Sequence, residues 1–503
     1  MTHDSRLSGQ PGGRPTSTST KLVVIGAGPG GYAAAFYAAD LDVDVTLVDP
    51  APHPGGVCLY RGCIPSKALL HAASVIEASR HASALGIEFG SPRIDFARLR
   101  GWKDGVVRKL TEGLGQVARQ RKVNYLQGSA SFVDAHTVEV ETADDERQIV
   151  RFEHAILATG SRPSRVPSLS LDSTRILDST SALEIPDVPR NLLVIGGGYI
   201  GLELGTVYAA LGSRVTIVEM TSGLLPGADR DLVQPVARRM QARCKAVLVG
   251  TKVVAMEEDG PGIAVTLEGP EVAAPRQLFD KVLISIGRRA NSDVPGLDRT
   301  KVKIDAKGFV EVDPQRRTAE PSIFAVGDVA GEPMLAHKAS HEARVAVEAI
   351  AGSRTAFEPL AIPAVVFTDP ELAWCGLTEQ QARSAGRPIE VAKFPWGASG
   401  RSITIDRTDG LTKVIVDPAT ERVLGVGIVG AGAGELIGEA VLAIEMGATV
   451  TDLKLTIHPH PTLSETVMES AEVFFGQSTH VFKPKRRHEP RATSHEERGA
   501  KNE

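Results

Sequence analysis

Short apolar runs that lead straight into glycine-rich turns set the pattern of the N-terminal half. Leu22 to Ile25 is the first, uninterrupted by any polar residue. An unbroken run of this kind reads as a parallel strand buried on both faces. Gly26, Gly28 and Gly31 follow at once, spaced G-x-G-x-x-G at the start of a predicted helix. Val45 to Val48 predicts the next strand, which ends at Asp49. The arrangement then repeats. Leu192 to Ile195 predicts a strand, Gly196, Gly198 and Gly201 open a helix, and Val215 to Val218 runs into Glu219. In both copies the carboxylate stands at the same distance from the first glycine.

Each half of this repeat has a chemical reason. The glycines permit a tight turn, close approach of a pyrophosphate, and close packing of helix on strand. The carboxylate suits a ribose hydroxyl pair. One such fingerprint is weak evidence, whereas two with complete strand–helix–strand settings are strong. Two dinucleotides in one chain imply one carrier that stays bound and another that exchanges. Glu219 would repel a 2′-phosphate, and Met220, Thr221 and Ser222 offer no arginine to receive one, so NAD is favoured over NADP.

Between and after these units lie a β-rich stretch near Val123 to Val140 and two small-residue strand ends, AILATG and FAVGDV. From about Phe357 the pattern becomes mixed α/β. Strands are predicted near Lys413 to Val416 and Gly425 to Val429, and a helix over Gly434 to Met446. The fold class is therefore α/β, with two Rossmann-like units and a C-terminal α+β unit. Residues 1–20 and 483–503 are polar and are expected to be disordered tails.

Composition narrows the function. A chain of 503 residues exceeds one core. The net charge of −5 argues against nucleic acid as a main partner. No stretch has the length and apolarity of a membrane span. The N-terminal residues lack the apolar centre of a secretory signal, so a cytoplasmic setting is expected ahead of a mitochondrial matrix.

The remaining chemistry gathers at Gly55 to Lys67, GGVCLYRGCIPSK, which holds Cys58 and Cys63. Pro65 and the good helix formers after it mark a helix N-terminus. A thiol there feels the positive end of the helix dipole, which favours its thiolate. A reactive thiol pair beside a dinucleotide points to redox exchange between a disulfide and a flavin. A zinc site would need two more ligands. Cys244 and Cys375 stand alone, and His458 and His460 are too close together for a finger, so no metal is expected. A static disulfide is the other bland reading, rare in cytosolic proteins.

Taken together, GAGPGG, GGVCLYRGCIPSKALL, ATGSRP, GGGYIGLE, IGRRAN, FAVGDV, AHKASHEA, FTDPELAWCGLTE and HPHPTLSE resemble the pyridine nucleotide–disulfide oxidoreductases. Within them the likeness is to the dihydrolipoyl dehydrogenases. It runs from about Lys21 to Pro484. It implies an FAD domain at 21–160 and 288–356, an NAD domain at 161–287, and a dimerisation domain at 357–482. It also implies a homodimer that serves the lipoyl domains of 2-oxoacid dehydrogenase complexes or a glycine cleavage system.

The resemblance assigns roles residue by residue. Cys58 would exchange with substrate from a loop ahead of the helix, and Cys63 would face the flavin. His460 would be the acid–base group, oriented by Glu465 and supplied by the partner subunit. A dithiol must lose a proton to attack, which suits an imidazole. His458 reads as an ordinary turn residue. Lys67 and Glu203 would form an ion pair near the flavin. Gly160, Gly287, Asp328, Met334, Leu335 and Ala336 would also contact cofactor. Tyr60 and Arg61 depart from the commoner Asn and Val, Asp49 from Glu, and Pro459 from Ala. A glutathione-type reductase would need NADP contacts, mercuric reductase a C-terminal cysteine pair, and a non-catalytic scaffold none of these groups.

Overall fold

The computed structural model describes residues 16–142, 144 and 146–482. The expected C-terminal tail and residues 1–15 lie outside the described residues. Contacts divide the chain into two units, Met1–Leu372 and Ala373–Glu503.

In the first unit the leading strand is Thr16–Ile25. Leu22, Val23 and Val24 are wholly buried, as an apolar strand with neighbours on both sides requires. Each such side chain contributes about 1.5–3 kcal/mol by leaving water. Five residues assigned from sequence to the N-terminal tail, 16–20, belong to this strand. They pair in parallel with Gln148 to Phe152. Their polar composition hid them, because the partner strand rather than an apolar face holds them.

The parallel neighbours run in the order Asn124–Asp134, Val45–Asp49, Thr16–Ile25, Arg147–Leu157 and Ile323–Ala325. Thr137–Thr142 bridges the far ends of Asn124–Asp134 and Arg147–Leu157 in an antiparallel meander. A second parallel sheet orders Ala246–Leu248, Arg214–Val218, Asn191–Ile195, Lys281–Ile284 and Ile176–Leu177. Its strands all fall, in sequence, between the last two strands of the first sheet. Lys252–Asp259, Gly262–Glu268 and Arg276–Phe279 form a separate antiparallel sheet.

Glycine spacing makes the two fingerprint turns possible. Gly26 and Gly196 have φ of +96° and +108°. A Cβ on Gly31 would lie 1.7 Å from the Gly26 carbonyl oxygen, and one on Gly201 would lie 2.1 Å from that of Gly196. The helices Pro29–Asp40 and Tyr199–Leu211 therefore sit directly on their strands.

In the second unit, Leu411–Val416 pairs antiparallel with both Glu390–Pro395 and Val423–Gly430. Trp396 is fully buried and donates its indole N–H to Thr412 at 2.9 Å. Helices Ala433–Glu445 and Glu465–Phe475 cover this sheet.

Candidate active site

The cysteine pair is placed by two consecutive helices rather than by a loop and a helix. Cys58 lies within the short helix Gly56–Arg61, which corrects the loop expected there. Six residues flanked by glycines carry too little helix signal to be read from sequence. Cys63 is the first residue of Cys63–His81, where unpaired amides and the helix dipole favour an anion. Cys63 is exposed and Cys58 half-buried, the reverse of the access expected from sequence. The thiols are unbonded.

Their electrostatics are opposed. The Cys58 thiol donates a hydrogen bond to Cys63, which pulls Cys63 down to about 7, with further help from the Lys67 ammonium. The same hydrogen bond, with burial, pushes the Cys58 thiol well up. One sulfur is thus a poised thiolate and the other the proton-bearing partner.

Lys67 is fixed four residues along the same helix. Its Nζ lies 2.7 Å from Glu203, whose side chain is 4% exposed. Glu203 also accepts the Phe367 amide at 3.0 Å, and Lys67 stands 4.5 Å above the Phe367 ring.

These groups open onto a cavity of about 500 Å³. Gly26, Gly28, Asp49, Cys58, Cys63, Lys67, Gly160, Glu203, Asp328, Met334 and Ala336 all line it. Gly31 lies beneath the fingerprint turn. Leu335 caps the helix Ala336–Ile350, and Gly287 precedes Arg288 at φ +118°; neither is among the lining residues. Gly160 has φ +70° and open space where a side chain would stand.

Asp49 and Glu219 are held alike. Asp49 accepts from the amides of Ala27 at 2.7 Å and Ala51 at 2.9 Å. Glu219 accepts from those of Gly197 and Thr221, both at 2.7 Å. Each carboxylate therefore ties the end of its strand to the glycine turn, and Gly198, at the helix start, faces open space.

Two supports for Asp328 escaped the sequence reading. Ser161 donates to Asp328 at 2.5 Å, while Arg288 donates to the Ser161 hydroxyl and carbonyl at 2.7 Å each. Wholly buried Glu342 accepts the Gly327 amide at 2.7 Å and pairs with Arg316 and Lys338 at 2.8 and 3.0 Å. Lys338 in turn donates to the Gly331 carbonyl at 3.0 Å. The only sequence signal was that Ser161, Arg288, Lys338 and Glu342 lie in the motifs ATGSRP, IGRRAN and AHKASHEA; Arg316 lies in none of them.

In the second unit His460 is 71% exposed, and its Nδ1 lies 2.9 Å from Glu465. Glu465 also accepts the Thr462 amide at 2.7 Å. Burial opposes ionisation of Glu465, but these two hydrogen bonds outweigh it and hold the carboxyl below its usual range. A carboxylate–imidazole pair whose Nε2 has no hydrogen-bond partner among the described residues is suited to proton transfer.

Residues 20–343 match the sequence model of the family described as pyridine nucleotide-disulphide oxidoreductase, and 362–471 match that family's dimerisation domain. The chain belongs to this family. FAD and NAD(H) are the family's cofactors, and the α/β architecture expected from sequence is the family's own. The first fingerprint and its cavity fit FAD: Gly26, Gly28 and Gly30 line the cavity without side chains, and a helix start faces it. Among relatives, the dihydrolipoyl dehydrogenase of Haemophilus influenzae is 48% identical over 92% of this chain and 96% of its own. That of Geobacillus stearothermophilus is 45% identical over 92% and 97%. The HOCl-induced flavoprotein disulfide reductase RclA of Escherichia coli has a TM-score of 0.78 at 26% identity, covering 89% of this chain and 98% of that one. LpdA of Mycobacterium tuberculosis shares the fold, with a TM-score of 0.83 at 24% identity, over 90% and 99%.

Proposed function

We propose that the protein oxidises protein-bound dihydrolipoamide to lipoamide with NAD as final acceptor, through a Cys58–Cys63 disulfide. The observation that carries this reading is the cysteine pair itself, set in the cavity behind the first fingerprint with Cys63 drawn down to about 7. The names of the two relatives above support the substrate.

His460 takes a proton from one substrate thiol at its Nε2. The resulting thiolate attacks Sγ of Cys58, which forms a mixed disulfide and releases Cys63 as a thiolate. Lys67 and the helix N-terminus stabilise that charge. The second substrate thiol, once deprotonated, displaces Cys58 and closes the lipoamide ring. Bound FAD supplies the acceptor for the electron pair of the dithiol and the hydride that NAD receives. Its first-fingerprint contacts would be Gly26, Gly28, Gly31 and Asp49, with Gly160, Asp328, Met334, Leu335 and Ala336. NAD would be held at Gly196, Gly198, Gly201 and Glu219, with Gly287.

The domain limits follow the same reading: FAD at 21–160 and 288–356, NAD at 161–287, dimerisation at 357–482. The interleaving of the two parallel sheets supports the discontinuity. The functional form is a homodimer in which His460 and Glu465 serve the partner's cysteines. Exposed Leu442, Met446, Leu455 and Ile457 supply apolar surface for that association. The electron donors are lipoyl domains of 2-oxoacid dehydrogenase complexes or of a glycine cleavage system, in the cytoplasm, where reducing conditions keep the thiols cycling. Among the described residues, no helix is long and apolar enough to cross a membrane.

Replacing Cys58 with Ser tests the reading. Lipoamide-linked turnover is lost if the relay operates. Undiminished turnover would contradict the disulfide relay.

A further inference from the structure

The turn that carries His460 is exposed, yet one of its side chains is not. Ile457 is 94% exposed, whereas the His458 side chain is 5% exposed. His458 Nε2 lies 2.7 Å from Glu439 Oε1, and its Nδ1 lies 2.9 Å from the Thr456 carbonyl oxygen. Glu439 comes from Ala433–Glu445, and Thr456 ends Val450–Leu455. A carbonyl can only accept, and so can an ionised carboxylate. With Glu439 ionised both ring nitrogens donate, so the two contacts favour the imidazolium form of His458.

The far side of His460 is fixed separately. Thr462 donates its hydroxyl to the Pro459 carbonyl at 2.8 Å and its amide to Glu465 at 2.7 Å. Pro459 and Pro461 stiffen the chain on either side of His460. The backbone between His458 and Glu465 thus has one anchor at each end.

We propose that His458 is a positioning residue for the reaction. Its imidazolium, clamped between Glu439 and the Thr456 carbonyl, sets the backbone from which His460 reaches the substrate thiol. This rests on the reading of His460 as the acid–base group. Two carboxylates from different helices bear on His458: Glu439 by direct hydrogen bond and Glu465 through space. Both favour its protonated form, and the Glu439 bond is the larger influence. Glu465 consequently orients the His460 ring, while His458 holds the main chain beneath it.

The test uses the FAD-loaded full chain and the variants His458→Gln, Glu439→Gln, the two combined, and His460→Gln. Dihydrolipoamide oxidation by NAD is compared with NADH oxidation by ferricyanide, which removes no proton from a substrate thiol. His458→Gln and Glu439→Gln are each expected to lower kcat with dihydrolipoamide roughly ten- to a hundredfold, the cost of a misplaced catalytic group. KM and the ferricyanide rate should stay near wild type. The combined variant should be no worse than either single one, because the two residues act as one clamp. If His458→Gln fails to fold, partly exposed Glu439→Gln reads the same contact. Wild-type kcat in the folded variants, with His460→Gln inactive, overturns the role of His458 alone. Equal losses in both assays overturn it too, as a merely structural effect. Wild-type turnover in His460→Gln overturns the acid–base reading beneath it.

Discussion

Lys67 Nζ lies 2.7 Å from Glu203 Oε2, and this pair joins the cysteine-bearing helix to the helix of the second fingerprint. The ammonium is shared between a buried carboxylate and the Cys63 thiolate. Lys67→Met would remove a charge that lowers Cys63 and leave Glu203 buried with one amide. The cost in stability should be about 3 kcal/mol, the low end for a broken buried pair because Lys67 is partly exposed. Thermal denaturation measures the loss.

Cys63 in the reduced protein should titrate near pH 7. Its pKa is depressed, so the thiolate is present above that pH and lost below it. The rate of alkylation by iodoacetamide should therefore rise through about pH 7. In Lys67→Met the midpoint should move upward. Peptide mapping of the alkylated protein assigns the reacting sulfur, and a wild-type midpoint near the ordinary thiol value would refute the assignment.

The two fingerprints should fail separately. In Gly31→Ala the new Cβ has 1.7 Å to the Gly26 oxygen, so the first turn must open and flavin should be lost on purification. In Gly201→Ala the clash is with the Gly196 oxygen at 2.1 Å. That protein should remain yellow and be reduced by dihydrolipoamide, yet form little NADH. Flavin absorbance and stopped-flow reduction distinguish the two. Overpacking of this kind costs about 1–3 kcal/mol, so both variants should still fold.

Glu342→Gln should weaken the turn that carries Asp328. The carboxylate is wholly buried against Arg316, Lys338 and the Gly327 amide. Losing its charge leaves two cations without their anion, at about 3–5 kcal/mol. A lower Tm and faster release of flavin, followed by its fluorescence, are the expected signs.

Both fingerprints were legible in the sequence because their signals are local: an apolar run, three glycines and a carboxylate within one βαβ unit. The predicted strands at Val45 to Val48, Leu192 to Ile195 and Val215 to Val218 are present within a residue at either end. The helix Ala433–Glu445 matches its expected limits to within one residue. Non-local partners explain the rest. Thr16 to Thr20 form a strand only because Gln148 to Phe152 lie alongside. Ser161, Arg288 and Asp328 are brought together from three distant segments. His458 looked like a turn residue because Glu439 reaches it from a different helix.

The most direct test is anaerobic mixing of the purified, FAD-loaded protein with dihydrolipoamide, followed by NAD, while the visible spectrum is recorded. A long-wavelength thiolate–flavin band, followed by one NADH for each dithiol consumed, is the predicted result. No band with any dithiol, or electron exchange with glutathione and NADPH alone, would contradict it.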